Sequence, residues 1–400
     1  MPASSPDQEQ FDRLAARLDD LEARGGALPH PEAEDVRRHG AVGDGATDDT
    51  EAVEAACRAA GRDGTVFFGR GRFLVTRRIV LPLGQQWQGP GIAETGPGEV
   101  PTHAILTRVP DGPAIEASYN TVFRSLRIEG DGTGHGMVLR GSVRFDEVSL
   151  QGYDLAISCD KLWYGHLQGL RLYRNRVGLR VDIAYNLTLI APRINCSDVD
   201  GVPGVGIELA HNVDLKIFGG AIEAYRVGIR TGNQDSVHLH SVYFESNAPR
   251  PEALGDDGAV GVQLSGTRST TVTALGCYVY LTHHAAWIDA DVVDTTGSLV
   301  AMGNTFKGGN PRGDRRNLAY RWANGSAMRV SLTGDQWTQV QHKDNASYLA
   351  PGSALPLHAQ VSPPPGSRAT DPVNQVRALA SPFVRTMARV GRRVANRLSR

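Results

Sequence analysis

The chain has few of the residues that build disulfide-bonded, zinc-binding or membrane-spanning proteins. Its 400 residues include four cysteines, which lie far apart without a CxxC pair. A zinc site or a disulfide framework is therefore not expected. No stretch approaches about 18 consecutive apolar residues, and the N-terminus lacks a basic segment followed by an apolar one. The sequence predicts no membrane span and no Sec export signal, and it leaves cytoplasmic, peripheral envelope-associated and virion-like locations open.

Aromatic residues are also scarce, at 6% of the chain, whereas glycine is abundant, with 46 residues. This balance favours many tight turns and a narrow aliphatic core over a few bulky clusters. The apolar fraction of 40% and the charged fraction of 21% are those of a folded chain. Composition alone therefore indicates a protein of strands and turns.

The net charge is only −1, but it is unevenly distributed. Residues 371–400 contain seven arginines and one acidic residue, so this tail carries +6 and the remainder −7. A mildly acidic body has no footprint for nucleic acid, and polyanion contacts should be confined to the tail. Within it, residues 373–400 place apolar side chains on one helical stripe and arginines on the other, which predicts a basic amphipathic helix suited to an anionic membrane surface or an acidic partner.

One hydrophobic pattern of roughly 22 residues recurs nine times between about residues 120 and 340. One position is apolar in all nine copies: Ile128, Leu150, Leu172, Ile194, Ile222, Phe244, Val279, Phe306 and Trp337. A second strand follows each of the first eight copies and carries a small residue: Gly136, Ala156, Gly178, Gly206, Gly228, Gly261, Ala286 and Ala319. Period-2 strands separated by turns predict a β-solenoid in which equivalent strands stack ~4.8 Å apart in parallel. Longer steps place loop insertions at 196–205 and 246–259.

The segments that flank the repeat divide the chain into four parts. Residues 1–35 are predicted to be an N-terminal helix and linker, either a solvated helix or a short oligomerising coiled coil. Residues 36–345 form the β-helix domain, residues 346–372 a Pro-rich linker, and residues 373–400 the basic amphipathic helix. Near the start of the domain, Asp48 and Glu51 form a capping-box pattern that opens a further amphipathic helix.

The segment HGAVGDGATDDTEAVEAA, followed by GTVFFGRGRFLV, resembles the opening of pectate-lyase-superfamily β-helix proteins, the group of polygalacturonase-related enzymes and many phage tailspike depolymerases. The resemblance covers residues 36 to about 340. It implies a single-stranded right-handed parallel β-helix of about nine or more rungs, with the helix after Asp49 capping its N-terminal end. Of the polygalacturonase signature only Gly134-His135-Gly136 is present, and there Gly136 belongs to the small-residue column.

Two glutamates stand at the same column position, one repeat apart. Because equivalent strands stack, the Cα atoms of Glu223 and Glu245 should lie ~4.8 Å from each other. Two carboxyl groups about 5–5.5 Å apart are typical of retaining glycoside hydrolysis, and like charges that close favour a proton on one of them. We predict that this pair is catalytic. The alternative is a solvated turn column, since its other members are Gln, Tyr, Asn, Lys and Thr.

Strand alternation places further side chains on an outer face that crosses the middle repeats. Together with tyrosines near the glutamates, they are predicted to bind substrate: Asp146, His166, Gln168, Lys216, Tyr225, His238, His240 and Tyr243. Tyr225, Tyr243 and Trp163 are of the kind that stacks on sugar rings, although packing at turns explains each equally well.

The two loop insertions carry four aspartates that could wall a cleft: Asp198, Asp200, Asp256 and Asp257. Carboxylate oxygens of this kind bind Ca²⁺, so a calcium site is conceivable, as in pectate lyases, with Lys216 or Arg226 as base for β-elimination. Most surface-loop aspartates bind nothing, and no cofactor is the first expectation.

The leading hypothesis is a polysaccharide-acting protein that cleaves glycosidic bonds of an acidic or cell-envelope polysaccharide, as a hydrolase or a lyase. The resemblance and the glutamate pair motivate it. The alternative is a non-catalytic carbohydrate-binding or structural β-helix, including a homotrimeric tailspike-like or envelope-associated module. The N-terminal heptads and the cationic tail motivate this second hypothesis.

Overall fold

The computed structural model describes residues 32–92, 101–195, 204–245, 258–265, 270–281, 284–290, 296–307, 317–322, 327–338, 346–349 and 360–361. The N-terminal heptads, the basic helix at 373–400 and most of the two loop insertions lie outside these ranges.

The described residues are almost entirely β-structure. Up to residue 195 the strands are β1 (Glu34–Asp35), β2 (Asp44–Asp48), β3 (Thr65–Phe67), β4 (Gly71–Val75), β5 (Ile79–Val80), β6 (Gln86–Gln88), β7 (His103–Thr107), β8 (Pro113–Ser118), β9 (Thr121–Glu129), β10 (His135–Gln151), β11 (Leu155–Gln168), β12 (Arg171–Tyr173), β13 (Val177–Val181), β14 (Ala184–Ile190) and β15 (Arg193–Asn195). The helical elements are a 3-10 turn, Val36–His39, and the helix α1, Thr50–Ala60.

From residue 205 onward the chain continues in the same way, with short strands and no described helix. The strands are β16 (Val205–Leu209), β17 (Val213–Phe218), β18 (Ala221–Glu223), β19 (Val227–Thr231), β20 (Ser236–His240), β21 (Tyr243–Glu245), β22 (Ala259–Leu264), β23 (Thr270–Leu275), β24 (Tyr278–Tyr280), β25 (His284–Ala290), β26 (Thr296–Met302), β27 (Thr305–Lys307), β28 (Asn317–Trp322), β29 (Ala327–Thr333), β30 (Gln336–Thr338), β31 (Ala346–Leu349) and β32 (Gln360–Val361).

The chain divides into two compact units, one up to Arg180 with Ala184–Ile194, and one from Asn195 with Val181–Ile183. In each unit every strand pairs in parallel with its equivalent in the neighbouring repeat. The first unit aligns Ile128 with Leu150 and Leu150 with Leu172. The predicted class, an all-β right-handed parallel β-helix, is confirmed.

In the second unit the same apolar column runs through five strands, from Ile222 on β18 to Trp337 on β30. The three side chains between the column ends, Phe244, Val279 and Phe306, are fully buried. The column that the sequence repeats is therefore an interior ladder of stacked side chains, as the alternation of strand residues requires.

Each of the two units contains a cluster of buried aromatic residues. The rings of Phe68, Trp87, Phe123 and Phe145 follow one another in the first unit, with successive centroids 4.8, 6.0 and 5.2 Å apart. In the second unit Trp287 contacts three aromatic neighbours. The core is thus not purely aliphatic, because stacked rungs let single aromatic residues from successive repeats pack edge to face.

The column of small residues has a steric cause. A Cβ at Gly136 would lie 2.5 Å from the Ala156 carbonyl oxygen, and one at Gly228 would lie 2.6 Å from the Gly261 carbonyl oxygen. These distances are below any van der Waals contact, so the backbone of the next rung leaves no space for a larger side chain. The sequence column thus records close approach of stacked backbones.

The helix α1 packs on the first strands, as the resemblance implies. Its buried residues include Val53, Ala56 and Cys57, and the Gln85 amide donates to the Cys57 carbonyl at 2.8 Å. The capping box predicted for Asp48 and Glu51 is not formed. The carboxylate of Asp48 accepts from the Thr50 amide at 3.0 Å, and the N-cap residue is Asp49, whose carboxylate accepts from the Val42 and Gly43 amides. The Asp49 carboxylate thus holds the backbone at Val42 and Gly43 and forms no hydrogen bond with the helix N-terminus.

The strand pairing also continues past residue 345. Strand β31 pairs with β28, and strand β32 pairs with β29. Both lie in the segment that the sequence analysis assigns to the Pro-rich linker. Strands of four and two residues are too short for a repeat pattern to reveal. Within the described ranges, no helix has the length and apolar character needed to cross a bilayer.

Candidate functional site

Glu223 and Glu245 occupy the ends of strands β18 and β21 in the second unit. The strands pair in register, with Glu223 opposite Glu245. Their Cα atoms are therefore one rung apart, ~4.8 Å. Because the preceding residues, Ile222 and Phe244, are fully buried, alternation turns both carboxylates outward. Both glutamates are half-buried.

Tyr243 ties the pair into a cluster. Its hydroxyl donates to Glu245 Oε2 at 2.5 Å, and its ring lies against Tyr278 with centroids 5.7 Å apart. Burial raises the pKa of Tyr243 above its ordinary value, and the hydrogen bond to Glu245 and the negative charges of Glu245 and Glu223 raise it further. The phenol therefore stays protonated and remains a donor to the carboxylate.

A second polar cluster, on strands β17 and β20, contains two of the predicted substrate-binding residues, Lys216 and His238. The Lys216 amine donates to Asp214 Oδ2 at 2.5 Å. His238 Nε2 lies 2.9 Å from Ser236 Oγ and 3.9 Å from Asp214 Oδ1. Burial lowers the pKa of His238, and the Lys216 and His240 charges lower it too, against the opposing effect of Asp214.

These Ser, His and Asp side chains do not form a catalytic triad. A triad needs the serine on one ring nitrogen and the aspartate on the other, whereas Ser236 and Asp214 both approach Nε2 of His238. Asp214 was missing from the residues predicted from sequence. It lies two residues before Lys216 on the same strand face, so extending the alternation by one step would have found it.

Two other residues of the second unit that were predicted to bind substrate, His240 and Tyr225, pack against side chains of the protein itself. His240 is half-buried and stacks on the exposed Phe218, with centroids 4.9 Å apart. Tyr225 is fully buried, and its hydroxyl lies 2.7 Å from His284 Nε2. The prediction that Tyr225 contacts substrate is therefore wrong.

The reason lies in the turn that follows the glutamate column. Ala224 has a φ of 50°, and the side chain that follows it points into the core. Gly152 and Arg174, with φ of 77° and 53°, likewise precede a buried Tyr153 and a buried Asn175. A left-handed residue after the column thus directs the next side chain inward, which a count of alternating positions does not anticipate.

In the first unit, Asp146, His166 and Gln168 lie on the outer face of strands β10 and β11. Arg144 is paired with His166, and Asp146 with Gln168. His166 lines a groove of about 400 Å³ whose polar lining includes Asn120, Ser142, Arg144, Tyr164, His166 and Asn186. Asp146 and Gln168 do not line it. Of the three predicted residues in the first unit, His166 is therefore the one that lines this groove.

The calcium prediction cannot be followed onto the structure, since its four aspartates lie outside the described residues. Among the residues that are described, no three His, Cys, Asp or Glu side chains are close enough together to hold a metal ion.

Comparison with known proteins bears on the opening segment. Residues 34–101 match the family model described as rhamnogalacturonase A/epimerase, pectate lyase-like. This segment is pectate-lyase-like. The match contains the residues on which the resemblance was stated, so the resemblance to the superfamily is confirmed. No curated protein matches the chain by sequence.

Several solved structures resemble this chain at low sequence identity. ORF18 of Geobacillus virus E2 matches with a TM-score of 0.46 and 15% identity, over 85% of this chain and 62% of that protein. The mannuronan C-5 epimerase AlgE6 A-module of Azotobacter vinelandii matches at 0.44 and 15%, over 82% and 99%. The Dettilon tailspike protein gp208 matches at 0.46 and 13%, over 83% and 73%. The chain thus spans less than two thirds of the viral ORF18, and the likenesses concern the fold.

Proposed function

We propose that this protein acts on a polysaccharide and hydrolyses its glycosidic bonds at Glu223 and Glu245. The observation that carries the proposal is the register that pairs the Cα atoms of the two outward-facing glutamates, one rung or ~4.8 Å apart, since retaining hydrolysis needs two neighbouring carboxyl groups about 5–5.5 Å apart. The matched family description, which names a rhamnogalacturonase, an epimerase and a pectate lyase, supports a carbohydrate-related role in general terms.

The contact of Tyr243 with Glu245 assigns the roles of the two carboxylates. The Tyr243 hydroxyl donates to Glu245, which suits an ionised carboxylate that attacks the anomeric carbon. Glu223 then acts as the acid and protonates the departing glycosidic oxygen. In the second step Glu223 removes a proton from water, the water oxygen bonds to the anomeric carbon, and the bond to Glu245 breaks. The anomeric configuration is retained.

The contacts of the proposed lyase base favour hydrolysis over β-elimination. The Lys216 amine is engaged by Asp214 in an ion pair of 2.5 Å. A lyase would need this amine, or the exposed Arg226, directed at the sugar carbon that loses a proton. The glutamate pair needs no such group.

Product chemistry tests the proposal directly. We expect incubation with a panel of capsular, teichoic and pectic polymers to release new reducing ends from at least one of them. The products should lack the absorbance of unsaturated sugars, and EDTA should not lower the rate. Unsaturated products that vanish with EDTA would replace the hydrolase by a calcium-assisted lyase. Absence of any product across the panel would overturn the catalytic proposal.

Tyr243→Phe should separate the positioning of Glu245 from the binding of substrate. The variant keeps the ring against Tyr278 and removes only the hydroxyl that donates to Glu245. Hydrogen bonds to charged groups contribute about 1.5–3 kcal/mol, so we expect kcat to fall about 10- to 100-fold with KM nearly unchanged. Steady-state kinetics on the susceptible polymer check this. A change in KM alone would assign Tyr243 to sugar binding.

A further inference from the structure

We propose that the first unit carries a glycan-binding site built from residues other than the carboxylate pair. In this site Trp163 and Tyr185 stack on sugar rings, and Arg144 with His166 binds an anionic substituent of the same glycan in the neighbouring groove. The inference rests on the proposed function only in taking a polysaccharide as the ligand.

The first observation is a pair of stacked aromatic rings at the surface. The Trp163 and Tyr185 rings lie 5.1 Å apart at an interplanar angle of 21°. They are 44% and 52% exposed, and the Lys161 ammonium sits 5.2 Å from the Trp163 ring centroid. By contrast, Trp87 and Trp287 are fully buried. The stacked rings cover one face of each other, and their solvent-exposed remainder, called the platform below, is an apolar surface of the kind that marks interaction sites.

A β-bulge creates this platform. Gly141 on β10 pairs with Leu162, but the next residue, Ser142, pairs with Tyr164, so Trp163 is an extra residue on β11. Consecutive strand residues ordinarily point to opposite faces, yet Trp163 and Tyr164 are both exposed, Tyr164 at 64%. A bulge re-aims side chains in this way and is common beside functional sites.

The bulge also joins the platform to the groove. Tyr164 and Asn186 line the groove, and each is the chain neighbour of a platform residue, Trp163 or Tyr185. One residue along a strand is about 3.4 Å, so a single chain ligand can cover the ring faces and reach the groove. The groove volume of about 400 Å³ lies within the ordinary range for ligand sites, roughly 300–1,000 Å³.

The charge of the groove selects the ligand class. Arg144 is exposed, lines the groove and is paired in register with His166. In the part of the chain that the structure describes, Arg144 has no ion-pair partner. A guanidinium in a surface groove recognises carboxylate or a comparable anion through paired N–H donors. The ligand is therefore a glycan that carries acidic groups, and a uronate polymer fits this description.

The experiment measures binding in the full chain carrying Glu245→Gln, so that the polymer is not consumed. Affinity electrophoresis would compare polygalacturonate with its fully methyl-esterified form, in which a neutral methyl ester replaces each carboxylate on the same sugar backbone. Trp163→Ala should weaken binding of both forms about tenfold or more, because ring stacking does not depend on charge. Arg144→Gln should weaken binding of the acidic form only, by about tenfold.

Three controls keep the test decisive. Trp163→Phe retains a ring face and should restore part of the affinity that Trp163→Ala loses. Arg58→Gln removes an exposed arginine of α1 that pairs with Glu54, and it should leave binding unchanged. Raising NaCl to about 0.5 M should weaken acidic-polymer binding with Arg144 present and have little effect in Arg144→Gln.

The outcomes are separable from those of the proposed function. Equal effects of Arg144→Gln and Arg58→Gln, or no effect of Trp163→Ala on either polymer, would overturn this site whether or not the protein is a hydrolase. No binding of either polymer would overturn it as well. Retained binding of polygalacturonate, together with no cleavage of any polymer of the panel by the wild-type chain, would sustain the site and contradict the catalytic proposal.

Discussion

Glu223→Gln and Glu245→Gln are each expected to lower kcat by about 10²–10⁴-fold. Glutamine keeps the size and polarity of the side chain, but it can neither donate a carboxylic proton to the glycosidic oxygen nor attack the anomeric carbon. Both residues are half-buried and face outward, so the fold should tolerate the exchange. The loss should therefore appear in the chemical step, with KM altered much less.

The measurement is the initial rate of reducing-end release from the polymer that the wild-type protein cleaves. Glu208→Gln is the matched control, since Glu208 is also a half-buried glutamate of the second unit and binds Arg230 at 3.1 Å. It should retain wild-type kcat. Equal rates in all three variants, or loss of activity together with a collapsed melting temperature, would remove the support for a catalytic pair.

Trp287→Ala should be the most destabilising single substitution among those considered, at about 3–5 kcal/mol. Trp287 is fully buried. Its ring contacts Phe244, Phe306 and Tyr320 at centroid distances of 5.8, 5.4 and 5.7 Å. Truncation removes the apolar transfer free energy of the indole and leaves a cavity. Three aromatic rings held by stacked rungs cannot collapse fully into that cavity.

Urea denaturation followed by circular dichroism gives the loss as a lower midpoint. Trp163→Ala deletes the same atoms from a side chain that is 44% exposed, so it should cost well under half as much. If both variants shift the midpoint equally, the interior aromatic ladder contributes no more than a surface stack, and the description of the core would have to change.

The interior columns could be predicted from the sequence because every repeat buries the side chains at the same positions. Ile222, Phe244 and Val279 recur in phase because each occupies the same place on its rung, and the structure pairs them in register. The small column was predictable for a similar reason, since Gly136 and Gly228 each face the backbone of the next rung. Residues that repeat in sequence report an environment that repeats in space.

The pairing of Glu223 with Glu245 follows from the same regularity, but the environment of that pair does not. The hydrogen bond from Tyr243 to Glu245 depends on side-chain conformation, which a repeat does not encode. Asp214 forms an ion pair with Lys216. Strand alternation places the two residues on the same face, so Asp214 could have been predicted from sequence, although it was not among the predicted residues.

Sequence by itself determined the fold class, the alignment of equivalent strands between rungs, and whether most strand side chains point inward or outward. It could do so because burial sets the alternation of apolar and polar residues. Only the tertiary structure decided where the alternation fails. The left-handed residue Ala224 turns Tyr225 into the core, and the extra residue Trp163 on β11 turns two consecutive aromatic side chains outward. Both are changes of backbone path at a single residue. A pattern that is defined by what many repeats share does not show a change that occurs at one residue.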